Sequence, residues 1–203
     1  ALYVHGLACL AVLKELVPSL NPVVAAGLSL GEFTAHAAAG TYSFEEGLRL
    51  VQKRGAFMEE ACNATKGTMA AMIGGTDENV IKLAQECDVD VANFNCPGQT
   101  VVSGTEEGVA KAVAGAKAAG CKIAKKLNVA GAYHSRLMHS AMVKLAEELK
   151  NISFGTPSMP VYCNYEARVV EGPDDIRSML EHQVCGSVRW TASMQKLVDQ
   201  GHR

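Results

Sequence analysis

The sequence predicts an α/β protein in which a small split βαβ unit is inserted into a larger α/β part. The first observation behind this is Val23-Val24-Ala25-Ala26, which runs into Gly27-Leu28-Ser29-Leu30-Gly31 and then into an alanine-rich stretch. That order reads as a short buried strand, a sharp turn and a helix. The second lies at 66–127, where the apolar rhythm gives strand, helix, strand, strand, helix, strand, the order of a ferredoxin-like subdomain. The third is the helical pattern on both sides of it, so 1–65 and 128–203 are expected to form one discontinuous large domain.

Composition narrows the classes. Apolar residues make up 48 % and charged residues 20 % of the 203, an ordinary globular balance. A net charge of −2 argues against nucleic acid, whose phosphates demand a basic surface. The seven cysteines are scattered and odd in number with no C-x-x-C pair, so reduced thiols are expected, with neither a disulfide framework nor a metal site. No apolar run approaches the ~18 residues of a spanning helix, and no membrane association is expected. The chain opens inside a predicted helix, so the lack of a leader proves little.

In chain order, residues 1–16 are apolar almost all round and read as a buried helix, ended by Pro18, Asn21 and Pro22. Ser43 with Glu46 forms a capping box that opens a helix to about Cys62. Leu48, Val51, Gly55, Met58 and Cys62 are its expected buried face, with Arg54 on the border. The inserted unit is predicted as strand 68–73, helix 76–87, strands 89–94 and 100–103, helix 105–119 closed by Gly120, and strand 121–127. The turn-rich stretch 128–135 feeds a helix over about 136–149. A short strand at 161–163, a helix at 174–184 begun by Pro173, and a last helix at 191–200 complete the chain.

A serine on a sharp strand-to-helix turn presents its hydroxyl beside the free N–H groups of a helix start, where an oxyanion is stabilised. Glycines two positions away on each side suit so tight a turn. A serine also needs a base. His36, seven residues along the same helix, lies about 10 Å away along the axis and is rejected; it is expected to face solvent or the insertion. His5, His139 and His182 fall in predicted helices and His202 at the end. His134 sits in a loop where the chain re-enters the large domain, the setting in which catalytic groups tend to lie. No aspartate stands out as a third member, and a helical arginine such as Arg54 is by default a solvated one.

Gly-Leu-Ser-Leu-Gly-Glu at 27–32, Lys-Arg-Gly-Ala-Phe-Met-Glu-Glu-Ala at 53–61, Ala-Asn-Phe-Asn-Cys-Pro-Gly-Gln at 92–99 and Val-Ala-Gly-Ala-Tyr-His-Ser at 129–135 together resemble the malonyl-CoA:acyl-carrier-protein transacylases, relatives of polyketide synthase acyltransferase domains. The resemblance covers nearly the whole chain. It implies an α/β-hydrolase-like large domain with a ferredoxin-like small one. The implied activity is transfer of malonyl from malonyl-CoA to the phosphopantetheine thiol of acyl carrier protein, for fatty-acid or polyketide synthesis. No permanently bound cofactor is implied.

By the same resemblance Ser29 is the nucleophile, His134 the base, the Leu30 backbone N–H an oxyanion donor and Arg54 the grip on the malonyl carboxylate. Met58, Tyr133, Asn93 and Asn95 are implied near the substrate, the last two at the mouth of the cleft. Lys122, Lys125 and Lys126 could meet the carrier protein or CoA phosphates, or form a solvated edge strand. Leu at 30, where methylmalonyl-using relatives often carry Gln, and Tyr before His134 favour malonyl. Leu28 replaces a histidine that many members carry.

The family orients its histidine with a main-chain carbonyl, which the resemblance places in a Glu-x-Gly-Pro-Gly stretch beyond Arg203. It places a second oxyanion donor in a Gly-Gln-Gly segment before Ala1. The chain is therefore expected to be a fragment of a longer enzyme. A monomer is expected, in a bacterial cytoplasm or an organellar stroma or matrix. The competing readings are a serine esterase or thioesterase sharing the elbow, and a carrier-protein-binding scaffold with little turnover.

Overall fold

The computed structural model describes residues 1–202, which form a mixed α/β fold. Helix α1 (Leu2–Leu16) leads through 17–29 to α2 (Leu30–Ala38) and α3 (Phe44–Ala64). Strand β1 (Gly67–Ile73), α4 (Asp77–Glu86), β2 (Asp90–Cys96), β3 (Gln99–Thr105), α5 (Glu106–Gly115) and β4 (Ile123–Lys126) follow. A 3-10 turn (Arg136–Met138), α6 (His139–Lys150), α7 (Pro173–His182) and α8 (Trp190–Asp199) complete the order.

The four strands form one antiparallel sheet in the order β2-β3-β1-β4. Its alternation sorts the two faces. Ala70, Met72 and Val102 pack with Val80 and Leu83 of α4 and Val109 and Ala112 of α5. Met69, Ala92 and Val101 face the other way, against Leu127, Val129 and Tyr133. The second face therefore carries the turn that holds His134. The segment after α7 continues the β2 edge: Val188 N–H donates to Ala92 O at 2.8 Å, and Phe94 N–H donates to Val188 O at 2.9 Å.

The capping box at the start of α3 forms, with Glu46 N–H donating to Ser43 Oγ at 3.2 Å and Ser43 N–H to Glu46 Oε2 at 3.0 Å. The buried stripe of α3 is Gly47, Leu50, Val51, Arg54, Met58, Ala61 and Cys62. Gly55, expected inside, is exposed. The stripe that packs against α2 and α6 is turned by about one residue, and this carries Arg54 from the border to the middle of the buried face.

Four other expectations change. Helix α1 forms, but only Tyr3 on it is buried, while Leu2, Val12 and Leu16 are 73 %, 54 % and 74 % exposed. It packs by one side on α2 and α3, and its Tyr3 hydroxyl donates to Phe44 O at 3.1 Å. Val23–Ala26 is not a full strand. Ala25 alone bridges Val161, in parallel, with Ala25 N–H donating to Pro160 O at 2.8 Å and Tyr162 N–H to Ala25 O at 3.0 Å. The 161–163 strand is likewise reduced to bridges, Val161 to Ala25 in parallel and Tyr162 to Val169 antiparallel. His36, expected to face solvent or the insertion, is wholly buried, its Nδ1 3.2 Å from Thr41 Oγ1. Among the described residues no helix is long and apolar enough to cross a membrane.

Candidate active site

Ser29 sits between the Ala25 bridge and α2 at φ 54°, ψ −110°. A non-glycine residue there costs about 1–3 kcal/mol, and such strain gathers at functional sites. The tightness of the turn falls on one glycine. A Cβ on Gly27 would stand 2.0 Å from Gly31 O, whereas a Cβ on Gly31 would meet nothing within 4 Å. Only the first of the two expected glycines is sterically required.

Asn164 braces this turn. Ser29 N–H donates to Asn164 Oδ1 at 2.6 Å, and Asn164 Nδ2 donates to Gly27 O at 2.8 Å. Gly31 and Glu32 direct their N–H groups to Leu28 O and Ser29 O. Leu30, the first residue of α2, has no intrahelical acceptor, so its N–H is the amide left available beside the Ser29 hydroxyl.

His134 lies in the turn between β4 and the 3-10 segment, also at positive φ, 55°. Gly131 lets this turn press onto α3, since a Cβ there would stand 2.2 Å from Cys62 Sγ. His134 Nε2 is 2.8 Å from Ser29 Oγ, and Nδ1 is 2.9 Å from Gln183 O. A carbonyl can only accept, so Nδ1 carries the proton and Nε2 is the free base that takes the serine hydroxyl. Burial pushes the imidazole down to about 4, and the Arg54 charge adds to the effect, so the ring is neutral at neutral pH. The orienting carbonyl thus belongs to Gln183, just past α7. The expectation that it lies beyond Arg203 is overturned.

Arg54 reaches in from α3. Its Nη2 donates to Ser29 Oγ at 3.0 Å and to Gln183 Oε1 at 3.1 Å, with the guanidinium carbon 5.2 Å from the centre of the Phe33 ring. Its buried Nε has no partner among the described residues. Burial lowers its pKa to about 10, against the pull of Glu32, so it stays charged. A buried cation with unused donors is a standing demand for an anion.

Glu32, one turn into α2, lies beneath this group and is fully buried. Its Oε2 accepts from Gln183 Nε2 at 2.7 Å and from Asn164 N–H at 3.0 Å, while Oε1 has no partner among the described residues. Burial raises the carboxyl to about 7, against those hydrogen bonds and Arg54. Gln183 also donates from Nε2 to Ser29 O at 2.9 Å, so one side chain touches the serine residue, the arginine and the glutamate.

The structure therefore brings together Ser29, Leu30, His134 and Arg54. Met58 is buried on α3 one turn after Arg54, and Tyr133 is half-buried against the main core. Asn93 and Asn95 lie on β2, and neither side chain is a hydrogen-bond partner of Ser29, His134 or Arg54. Lys122, Lys125 and Lys126 are exposed on or next to the edge strand β4, with Lys126 3.5 Å from Glu106. An open cavity of about 530 Å³ reaches His134, lined also by Arg136, His139, Tyr165, Ser187 and Arg189. No group of three or more metal-ligating side chains occurs among the described residues. Gln183, Glu32 and Asn164 were not expected from the sequence. The one hint was Glu32, the one acidic residue of an alanine-rich helix.

The acyl transferase domain family matches residues 1–203. The malonyl CoA-acyl carrier protein transacylase of Escherichia coli (strain K12) is 41 % identical over 184 residues, 89 % of this chain and 60 % of that protein. The crystal structure of the malonyl-CoA:acyl carrier protein transacylase of Xanthomonas oryzae pv. oryzae superposes with a TM-score of 0.86 at 40 % identity, over 90 % of this chain and 59 % of that one. A malonyl-transacylase solved in complex with its type II PKS acyl-carrier protein gives 0.87 at 37 % identity, over 90 % and 60 %. The chain thus spans about 60 % of the length of these relatives.

Proposed function

Because the chain belongs to the acyl transferase domain family, among the malonyl-CoA:acyl-carrier-protein transacylases, we propose that it moves a malonyl group from malonyl-CoA to the phosphopantetheine thiol of an acyl carrier protein. The observation that carries this reading is that His134 Nε2 and Arg54 Nη2 both reach Ser29 Oγ, at 2.8 and 3.0 Å. Neutral His134 takes the serine proton as Oγ attacks the thioester carbonyl. The Leu30 N–H steadies the oxyanion, and the imidazolium returns its proton to the departing CoA thiolate. In the second half the carrier thiol loses its proton to His134 and attacks the malonyl ester, and Ser29 regains its hydrogen. Gln183 O holds the ring in the required tautomer throughout.

Arg54 supplies the choice of acyl group. A malonyl carboxylate satisfies guanidinium donors that otherwise stay buried and unpaired, whereas an acetyl group leaves them so. An ion-paired pocket also leaves an attacking water little room, which favours transfer over hydrolysis. The carrier-protein complex of a 37 % identical malonyl-transacylase supports the partner. Lys122, Lys125 and Lys126 are proposed to meet that acidic partner or CoA phosphates, Asn93 and Asn95 to flank the cleft mouth, and Met58 and Tyr133 to wall the acyl pocket.

In the same reading 66–127 is a ferredoxin-like subdomain and 1–65 with 128–203 an α/β-hydrolase-like one. The antiparallel sheet supports the first, and the elbow before α2 supports the second.

Intact mass after incubation with malonyl-CoA tests the proposal. A malonyl adduct, absent in Ser29→Ala and discharged by carrier protein, is the expected result. Free malonate without transfer would point to an esterase, and no adduct to a binding scaffold.

A further inference from the structure

We infer that Asn164, its backbone held by buried Glu32, is a positioning residue whose side-chain amide keeps the Ser29 turn in its reactive shape. The inference rests on the reading of Ser29 as the nucleophile. Asn164 treats the turn as a neighbouring strand would, giving Nδ2–H to Gly27 O at 2.8 Å and taking Ser29 N–H on Oδ1 at 2.6 Å. These are the two backbone groups on either side of Leu28. With the Val23–Ala26 segment reduced to a bridge at Ala25, the ladder that would fix such a turn stops four residues before Ser29.

The brace is itself fixed. The Asn164 N–H donates to Glu32 Oε2 at 3.0 Å, and its carbonyl accepts from Arg189 N–H at 2.9 Å. Asn164 is 1 % exposed, and no other side chain bonds the Ser29 N–H. Two consequences follow. The strained φ of 54° is held against relaxation. The Ser29 N–H is also occupied, which leaves oxyanion binding to the next amide, that of Leu30.

A side-chain amide is required here because one end must donate and the other accept. The test replaces it with a group whose ability to do both depends on pH. In Asn164→Asp the ionised carboxylate can only accept, so it faces Gly27 O with no hydrogen between them. Once protonated, it donates to Gly27 O from one oxygen and accepts Ser29 N–H on the other. The charged or titratable groups around it are Glu32 from α2, which accepts the Asn164 N–H, Arg189 at the start of α8, whose N–H meets the Asn164 carbonyl, and, on the far side of Ser29, Arg54 from α3 and His134 from its turn. Glu32, raised to about 7, titrates in the wild type as well, and a second carboxylate beside it would move that titration, so the pH profiles of wild type and of Asn164→Ser, which adds no charge, are measured beside that of Asn164→Asp.

The readout is the rate at which a fluorophosphonate labels Ser29. An Oγ–P bond forms, the P–F bond breaks with loss of fluoride, and His134 takes the proton. This reagent needs no malonyl chemistry, so a failed malonyl-transfer reading and a failed brace are told apart. In the full chain the expected variant-to-wild-type ratio is about 10⁻² at pH 8 and rises at least tenfold by pH 5. Asn164→Ser, which can satisfy only one of the two groups, falls between wild type and Asn164→Ala at every pH and is the second arm should the aspartate variant not fold. A ratio independent of pH, or wild-type labelling rates in Ser and Ala variants of unchanged fold by circular dichroism, would overturn the inference. So would a wild type that the reagent does not label.

Discussion

Between Gly67 and Lys126 every strand has its ladder and a shared apolar core lies between the sheet and its two helices, whereas around Ser29 backbone strain and unpaired polar atoms accumulate. In the sheet unit Ala70, Val80, Val102 and Ala112 are wholly buried, and Ser103 Oγ is its one buried polar atom without a partner among the described residues. Its non-glycine residue at positive φ, Asp88, is an exposed turn residue. The Ser29 region holds Glu32 Oε1 and Arg54 Nε unpaired, and both Ser29 and His134 lie in the left-handed region. One region is optimised for stability. The other spends some of that stability to keep a hydroxyl, an imidazole and a guanidinium in one place.

The contrast is sharpest where chemistry is removed without touching the scaffold. His134→Ala should slow acylation of Ser29 by about 10⁴-fold or more while the melting temperature moves by only a few degrees. Acylation followed by intact mass, beside a thermal melt, checks both halves. A variant that unfolds, or that acylates normally, breaks the distinction.

The next effect separates the two glycines of the turn. Gly27→Ala should collapse the elbow and lose both activity and cooperative melting, because its Cβ would sit 2.0 Å from Gly31 O. Gly31→Ala, with open space at its Cβ and a helical position, should melt no lower than wild type, with a gain of up to ~1 kcal/mol. Equal behaviour of the two in a melting experiment would count against this account of the turn.

A cut in the other region should show the reverse signature. Leu83→Ala in the sheet unit should cost about 2–3 kcal/mol in denaturant unfolding yet leave the labelling rate of the folded protein unchanged.

The smallest effect is electrostatic. Glu32 has its carboxyl raised to about 7, so its contribution to stability is full below the unfolded value near 4.5 and is lost as pH rises through 7. His36 and His134 are lowered to about 4, so theirs is present above 6.5 and is lost as pH falls toward 4. Glu32→Gln should therefore gain stability relative to wild type as pH rises from 4.5 to 7, and melts across that range read the difference directly. A constant offset would mean that Glu32 titrates normally.

The same contrast explains what could be read in the sequence. The elbow, the Ser43–Glu46 box and the order of the sheet unit are local patterns, carried by residues a few positions apart, and they were legible. The helix at 2–16 was misread because apolarity states what a residue can bury against and leaves open which partner is present; Leu2 and Leu16 have none among the described residues. Arg54 was placed at a border because a helical stripe read by composition is uncertain by one residue in rotation. Asn164 and Gln183 carry no motif. They sit 135 and 154 residues from Ser29, and only the fold brings their amides to it.

The central claim is that Arg54 is held in the Ser29–His134 group to receive a carboxylate. The most direct measurement is the ratio of Ser29 acylation by malonyl-CoA to that by acetyl-CoA, in wild type and in Arg54→Ala. The account predicts a strong malonyl preference that collapses by roughly 10²-fold or more in the variant, through slower malonyl and faster acetyl loading. A ratio that is the same in the two proteins would contradict it.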